Sequence, residues 1–289
     1  MPDLLLLLTA AIWGFAFVAQ RAGMEHMGPF LFNGIRFALG AAVLLPVLAF
    51  RARRYSRPSS GFPVRDGAMA GLVLFAGASL QQTGLVYTTA GNAGFITGLY
   101  VLLVPVLGMF MGQPTGWRTW AGSILAVGGT FLLTTAGTPR MATGDLIVLA
   151  GALFWAAHIQ LISRFMKRHR ALQLAAVQFA FCSVLSFAFA AVFERNSAAG
   201  LTGAAIPLLY GGLISVGIAF TLQVVAQKRA HPSHAAIIMS LETVFALAGG
   251  WLMLGENVTA RGAFGGLLIL TAMILSATGR YRRMIPAGL

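Results

Sequence analysis

The sequence predicts an all-α polytopic membrane protein of ten transmembrane helices, built as two inverted five-helix repeats around a central cavity. Three observations carry this expectation. Apolar runs of membrane-spanning length divide the chain, basic residues gather on alternate connections, and the second half repeats features of the first. Of the 289 residues 58% are hydrophobic and 9% charged, whereas soluble domains carry about a quarter charged residues. A water-soluble fold is thereby excluded.

A hydrocarbon core of about 30 Å takes roughly 20 apolar residues of helix. Taken in order, the stretches of that length are 4–20, 30–50, 67–87, 91–112, 117–135, 146–165, 172–193, 206–227, 234–254 and 262–278. The first follows only Met1, Pro2 and Asp3, with no basic segment before it, and reads as a retained helix, not a cleaved signal. The second ends at the basic run 51–57, and the third opens after Arg65 and Asp66. A polar stretch at 136–144 separates the fifth span from the sixth. Arg164 to Arg170 closes the sixth, Arg195 follows the seventh, and Lys228 and Arg229 follow the eighth.

Basic residues near helix ends are retained on the cytoplasmic side. With both termini inside, 15 of the 20 Lys and Arg residues fall in the cytoplasm and 4 outside, Arg36 lying within a span. The opposite orientation inverts the ratio, so both termini are expected in the cytoplasm of a bacterial inner membrane. The formal charge of +13 then serves retention against anionic lipid, and a nucleic-acid partner for the loop 51–65 is not expected.

Ten spans divide into fives at 1–138 and 139–289. Sliding the second half back until Trp155 falls on Trp13 also brings Gln178 onto Arg36 and Gln223 onto Gln81. Near the ends the register drifts, Gly122 aligning better with Gly266. An odd number of spans per half makes the halves cross the membrane in opposite senses, the construction of carriers that expose one site alternately to two faces.

The tract Asn92-Ala-Gly-Phe-Ile-Thr-Gly-Leu-Tyr-Val-Leu-Leu-Val-Pro105 resembles the first-repeat signature of EamA-type members of the drug/metabolite transporter superfamily. Ser240-Leu-Glu-Thr-Val-Phe-Ala246, followed by Gly250-Trp-Leu-Met-Leu-Gly-Glu256, resembles the second-repeat pattern. Two positions depart from it: Thr243 stands where proline is common, and Gln113 where the first repeat usually carries glutamate. The resemblance covers nearly the whole chain and implies a ten-helix basket around a cavity and the export of small metabolites, amino acids or related amines and drug-like molecules.

Counting about 1.5 Å per residue from each span's start places Trp13, Tyr100, Trp155, His158 and Glu242 near the midplane. Arg36 and Gln81 fall on a level nearer the outside, and Gln178 and Gln223 on the mirrored level nearer the cytoplasm. Unsatisfied polar groups in hydrocarbon are costly, so these nine residues are expected to face one another or a wet cavity as substrate-binding groups. Glu242 is the one carboxylate deep in a span. It reads either as a proton carrier or ammonium partner, or as a structural carboxylate capping a broken helix. Arg36 reads either as a snorkelling or helix-capping arginine or as a clamp for a substrate carboxylate. His158 is a proton relay or a hydrogen-bonded packing residue. Trp13, Trp155 and Tyr100 form an aromatic wall or ordinary packing. Gln81 and Gln82, about 100° apart on a helix, point in different directions, so one of them at most lines the cavity. Asn92, Thr97 and Ser240 offer further hydrogen bonds.

Gly94 and Gly98 in a GxxxG spacing, with Pro105 beyond, mark the fourth span as a gate or hinge that also permits close helix contact. Gly108-x-x-x-Gly112 and Gly262-x-x-x-Gly266 repeat the spacing, the latter as a packing or dimer face. No nucleotide loop, zinc helix or serine elbow occurs, and the loops are too short for a soluble catalytic domain, so no enzyme is expected. An intramembrane lipid-modifying enzyme has only the shared depth of His158 and Glu242 to work with. A channel built from rings of like residues suits an internally duplicated chain less well than a carrier. Neither cofactor nor metal is expected: Cys182 has no second cysteine, and His231 with His234 lacks a third ligand. The expected partners are a small-molecule substrate, the lipid bilayer and protons, the chain acting as monomer or homodimer.

Overall fold

Helices carry nearly all of the described chain. The computed structural model describes residues 2–54, 63–88, 90–113, 115–134, 143–195, 198–254 and 260–281, and no strand occurs among the described residues. The expected division at 138–139, the Gly255-Glu256 end of the second signature, and Arg57, Arg140, Arg282 and Arg283 lie outside them.

The first half consists of α1 (Pro2–Gly23), α2 (Pro29–Arg54), α3 (Val64–Tyr87), α4 (Ala90–Gly98), α5 (Tyr100–Phe110) and α6 (Trp117–Thr134). The second holds α7 (Thr143–Phe165), α8 (Ala171–Phe193), the short α9 (Ala198–Gly203) and α10 (Ala205–Leu209), a π-helical stretch (Tyr210–Phe220), α11 (Thr221–Gln227), α12 (Pro232–Met239), α13 (Glu242–Leu254) and α14 (Ala260–Tyr281). Among the described residues seven stretches are long and apolar enough to cross a membrane: Pro2–Gly23, Pro29–Arg51, Val64–Tyr87, Ala93–Phe110, Thr143–Phe165, Ala171–Phe193 and Ala205–Gln227. They coincide with seven expected spans. The other three correspond to α6, to α12 with α13, and to α14, whose apolar part Ala260–Leu275 is shorter. Exposed Leu, Ile, Val and Phe side chains line the outer faces of these helices, as a hydrocarbon solvent allows.

Two expected spans are broken in mid-course. The fourth is interrupted at Leu99, and the ninth at Ser240 and Leu241. The ninth breaks without proline: the Thr243 amide and Oγ1 both donate to the Ser240 carbonyl, at 3.2 and 3.1 Å, while Ser240 Oγ donates to Ile237 O at 2.8 Å. Hydroxyls that bond nearby carbonyls in this way satisfy backbone groups a regular helix would have paired. Helix starts recur at one constant interval along the chain, which separates Pro29 from Ala171, Ala90 from Pro232 and Tyr100 from Glu242. The same interval separates Asp3, held by His234 at 3.2 Å, from Asp145, which accepts from Thr88 Oγ1 at 2.5 Å.

The π-helical stretch was not legible in the sequence. Gly211, Gly212 and Gly217 reduce the steric cost of its wide winding. It is stitched to α1 by three hydrogen bonds: Thr9 Oγ1 to Ala219 O at 3.2 Å, Trp13 Nε1 to Ser215 O at 3.4 Å, and Tyr210 OH to Ile12 O at 2.9 Å. At the start of α2, Glu194 accepts from the Phe30 and Leu31 amides at 2.6 and 2.9 Å, capping the helix where its dipole favours an anion.

Of the glycines in GxxxG spacing, Gly108 is crowded, by Gln160 Nε2 at 2.9 Å, whereas Gly94 and Gly98 are not. A methyl added at Gly94 would find nothing nearer than Phe17 at 3.8 Å, and one at Gly98 nothing nearer than Thr243 Oγ1 at 3.6 Å. Tight approaches to backbone carbonyls include Gly14 against Glu242 (2.6 Å), Gly71 against Gln178 (2.8 Å), Gly84 and Gly144 against each other (2.9 and 2.6 Å), and Gly129 against Gly265 (2.5 Å). Gly266 likewise has only ordinary contact, with Val244 at 3.8 Å. Spacing marks a small face but not the partner that meets it.

Candidate functional site

A cavity lies where the broken helices meet α1, α7 and the π-helical stretch. Helix α1 contributes Trp13, Phe17 and Gln20, at the i, i+4, i+7 spacing of one face. Trp155 and Ile159 of α7 face them, one turn apart. Residues from α2 (Arg36), α3 (Gln81), α4 (Thr97), the π-helix (Ser215 and Phe220) and α11 (Gln223) complete the wall, together with the first residues of α5 and α13, Tyr100 and Glu242. Four pairs in this lining share the interval that relates the helix starts: Trp13 and Trp155, Phe17 and Ile159, Gln81 and Gln223, Tyr100 and Glu242.

The two broken helices supply the acidic end. Tyr100 OH donates to Glu242 Oε1 at 3.1 Å, joining the residues that restart the two helices. Glu242 thus stands in the first turn of α13, where a carboxylate is favoured by the helix dipole. A second polar group in the wall is a chain of amides and a guanidinium. Arg36 Nη1 donates to Gln20 Oε1 at 2.9 Å, Gln81 Nε2 reaches the same oxygen at 3.3 Å, and Thr97 Oγ1 donates to Gln81 Oε1 at 3.4 Å. Gln82 turns away from the cavity and donates to the Gln20 carbonyl at 3.2 Å, as its rotation away from Gln81 around the helix requires. Arg36 is 2% exposed and points into the bundle, so the snorkelling geometry is not the one adopted. Aromatic rings form much of the remaining wall. Phe220 packs on Trp13 at 4.5 Å and on Trp155 at 5.9 Å between centroids.

Seven of the nine expected residues therefore border one cavity: Trp13, Arg36, Gln81, Tyr100, Trp155, Gln223 and Glu242. The other two, His158 and Gln178, bond each other at 2.8 Å in the interior. Phe220 lies edge-on to His158 with centroids 6.3 Å apart and faces the cavity in its place. The interruption falls at Leu99, immediately after Gly98, while α5 runs unbroken through Pro105. Gln160 Nε2 donates to the Val104 carbonyl at 2.7 Å beside it. His234 is held by Asp3, and no group of three or more His, Cys, Asp or Glu residues is found among the described residues.

Sequence reasoning passed over Phe17, Gln20, Ile159, Ser215 and Phe220. Gln20 had a signal, a polar amide one face-repeat from Trp13. Phe220 had none, being one of 21 phenylalanines, and Ser215 is placed by the π-helix.

Comparison with known proteins agrees with this architecture. The EamA-like transporter family matches residues 1–135 and again residues 142–278. An uncharacterized transporter of Archaeoglobus fulgidus is 35% identical over 94% of this chain and 84% of its own length. A probable amino-acid metabolite efflux pump of Escherichia coli is 24% identical, covering 98% of this chain and 97% of that protein. A probable terminal-alkyne amino-acid exporter of Streptantibioticus cattleyicolor is 25% identical over 98% and 96%. A solved crystal structure shares the fold, with a TM-score of 0.78 at 20% identity over 98% of this chain and 99% of that one. Apolar helices of spanning length, a cavity at their breaks and these matches lead to one conclusion: the chain is a multi-pass membrane protein and belongs to the EamA-like transporter family.

Proposed function

We propose that this protein is a secondary carrier of the bacterial inner membrane that exports small metabolites, amino acids or related amines among them, by alternating access. On this reading ten spans form two inverted five-helix repeats, both termini are cytoplasmic, and the cavity is the substrate site. The supporting observation is the recurrence of one sequence interval in the cavity wall, including the Tyr100 to Glu242 hydrogen bond that joins the two helix breaks. A site shared by two similar halves is the arrangement in which exchanging their conformations moves access from one side to the other. The two separate family matches and the efflux and exporter names of the relatives support the same reading.

Glu242 is the proposed proton carrier. Tyr100 gives it a hydrogen-bond donor, and its place at a helix break in the cavity wall lets proton and substrate compete for one carboxylate. The test begins with a thermal-shift screen of amino acids and amines on purified protein, because a ligand of the folded state raises its stability. A hit is then followed in proteoliposomes. Counterflow of the labelled hit marks a carrier, conductance a pore. Glu242→Gln is expected to lower transport by at least about 100-fold, roughly the loss of one essential acid–base group, while the protein stays folded and membrane-inserted. Full transport by that variant refutes the proton role, and uptake indifferent to an imposed pH gradient makes the protein a uniporter.

A further inference from the structure

Arg36 brings a positive charge into the cavity that no described side chain neutralises. Its guanidinium bonds one neutral amide, Gln20, and its buried Nε has no hydrogen-bond partner. Among the described residues no carboxylate lies within the 4.0 Å of an ion pair; the acid sharing its cavity, Glu242, is bonded to Tyr100. The rings of Phe32 and Phe37, 5.0 to 5.7 Å from the guanidinium carbon, shield its flanks. An arginine keeps its proton in proteins, and a buried ion without a counter-ion is strongly disfavoured. Yet this one is aimed: Gln20 holds Nη1, while Gln81 and Thr97 continue the hydrogen-bonded chain along the wall.

We infer that the Arg36 end of the cavity is an anion subsite, which takes a carboxylate of the transported molecule while the apolar part lies against Trp13, Trp155 and Phe220. The inference deepens the carrier reading and rests on it for the ligand's being transported, not for its being bound. A carboxylate matches the site in charge and shape. One guanidinium, with neutral amides beside it, balances a monoanion, whereas a phosphate dianion calls for a second cation. The planar fork of arginine suits the two oxygens of a carboxylate. The lining supplies both parts, a guanidinium for the acid group and aromatic rings for an apolar body. Plain amines and neutral drug-like molecules leave the guanidinium unpaired and are selected against.

The test uses matched triplets: leucine, methionine, phenylalanine and tryptophan, each with its methyl ester and its decarboxylated amine. Binding to the purified full chain is measured by thermal shift and titration. At least one acid is expected to bind at least about tenfold more tightly than its ester, the scale of one charge-assisted hydrogen bond. In Arg36→Gln that preference falls to about one, and in Arg36→Lys, which keeps charge but loses the fork, it falls to an intermediate value. Gln20→Leu, which frees the guanidinium from its aiming bond, also lowers the preference and serves if Arg36→Gln does not fold. Esters or amines binding as well as the acids overturn the subsite. So do the failure of every acid to bind, and a preference that survives in Arg36→Gln. Counterflow keeps the two readings apart. An acid that binds but is not carried sinks the carrier and leaves the subsite, while esters and amines carried equally by wild type and Arg36→Gln sink the subsite and leave the carrier.

Discussion

Arg36 and Gln178 hold matching places in the two halves, each two turns into its helix, and each bonds a side chain of the preceding helix. Their surroundings differ. Beside Arg36 the amides of Gln20 and Gln81 open onto the cavity, whereas beside Gln178 the His158 ring is closed off by Trp155 and Phe220. The position matching Phe220 is Ala78, a single buried methyl. That the cavity takes in Arg36 but not Gln178, although it reaches Gln223 on the mirrored level, is thus written into side-chain volume. On the carrier reading, Phe220 is the ring that must leave for the hydrogen-bonded pair His158 and Gln178 to be reached.

The widest break in this comparison comes from thiol labelling in a Cys182→Ala background, Cys182 being the sole cysteine. Thr97→Cys, on the cavity wall, is expected to react with a small methanethiosulfonate reagent, and Gln178→Cys to stay unreacted. Adding Phe220→Ala makes Gln178→Cys reactive, because removing a buried ring leaves a void that neighbours fill only in part. Equal labelling of the two positions in the parent protein removes the asymmetry altogether.

A smaller effect separates two glycines. Gly84 meets Gly144 where α3 crosses α7, an added Cβ standing 2.9 Å or less from the opposing carbonyl, whereas Gly94 has ordinary contact distances around it. Gly84→Val is expected to cost about 1–3 kcal/mol by overpacking. Gly94→Ala should stay within about 0.5 kcal/mol of the parent, or gain slightly from helix propensity. Thermal unfolding in detergent checks both, and equal losses would show that the GxxxG spacing was the better guide to packing.

That outcome bears on what the amino-acid string makes legible. Helix positions and the greater part of the cavity wall could be read, because hydrocarbon forces every span to be apolar and makes each buried polar group conspicuous: Arg36, Gln81, Gln223 and Glu242 stood out against their surroundings. Contacts between helices could not. Gly14 lies against Glu242 and Gly84 against Gly144 through crossing angles that no local pattern encodes. His158 has the depth of a cavity residue, since depth follows from counting, but its ring bonds Gln178 and packs edge-on to Phe220, contacts that counting does not give. The π-helix was hidden for a related reason, its register being held by bonds from Thr9 and Trp13 on a helix from the opposite half of the chain.

The smallest expected effect tests whether the two helix breaks are equivalent in origin. At Leu99 the chain turns with neither proline nor hydroxyl at the break itself, Leu99 N bonding Ile96 O at 3.2 Å. At Ser240 and Leu241 two hydroxyls take over backbone pairing, and Thr243 occupies the second position of α13. A proline fits the first turn of a helix, where its fixed φ is already helical and amide donors lack intrahelical partners. Thr243→Pro gives up the amide and hydroxyl bonds to the Ser240 carbonyl but stiffens the same bend. The losses and the gain are each about 1 kcal/mol, so the net change in stability should be under about 1 kcal/mol, with transport preserved. A loss several times larger, measured by the same thermal unfolding, would show that the Thr243 hydroxyl, and not the backbone path, holds the Glu242 carboxylate against Tyr100.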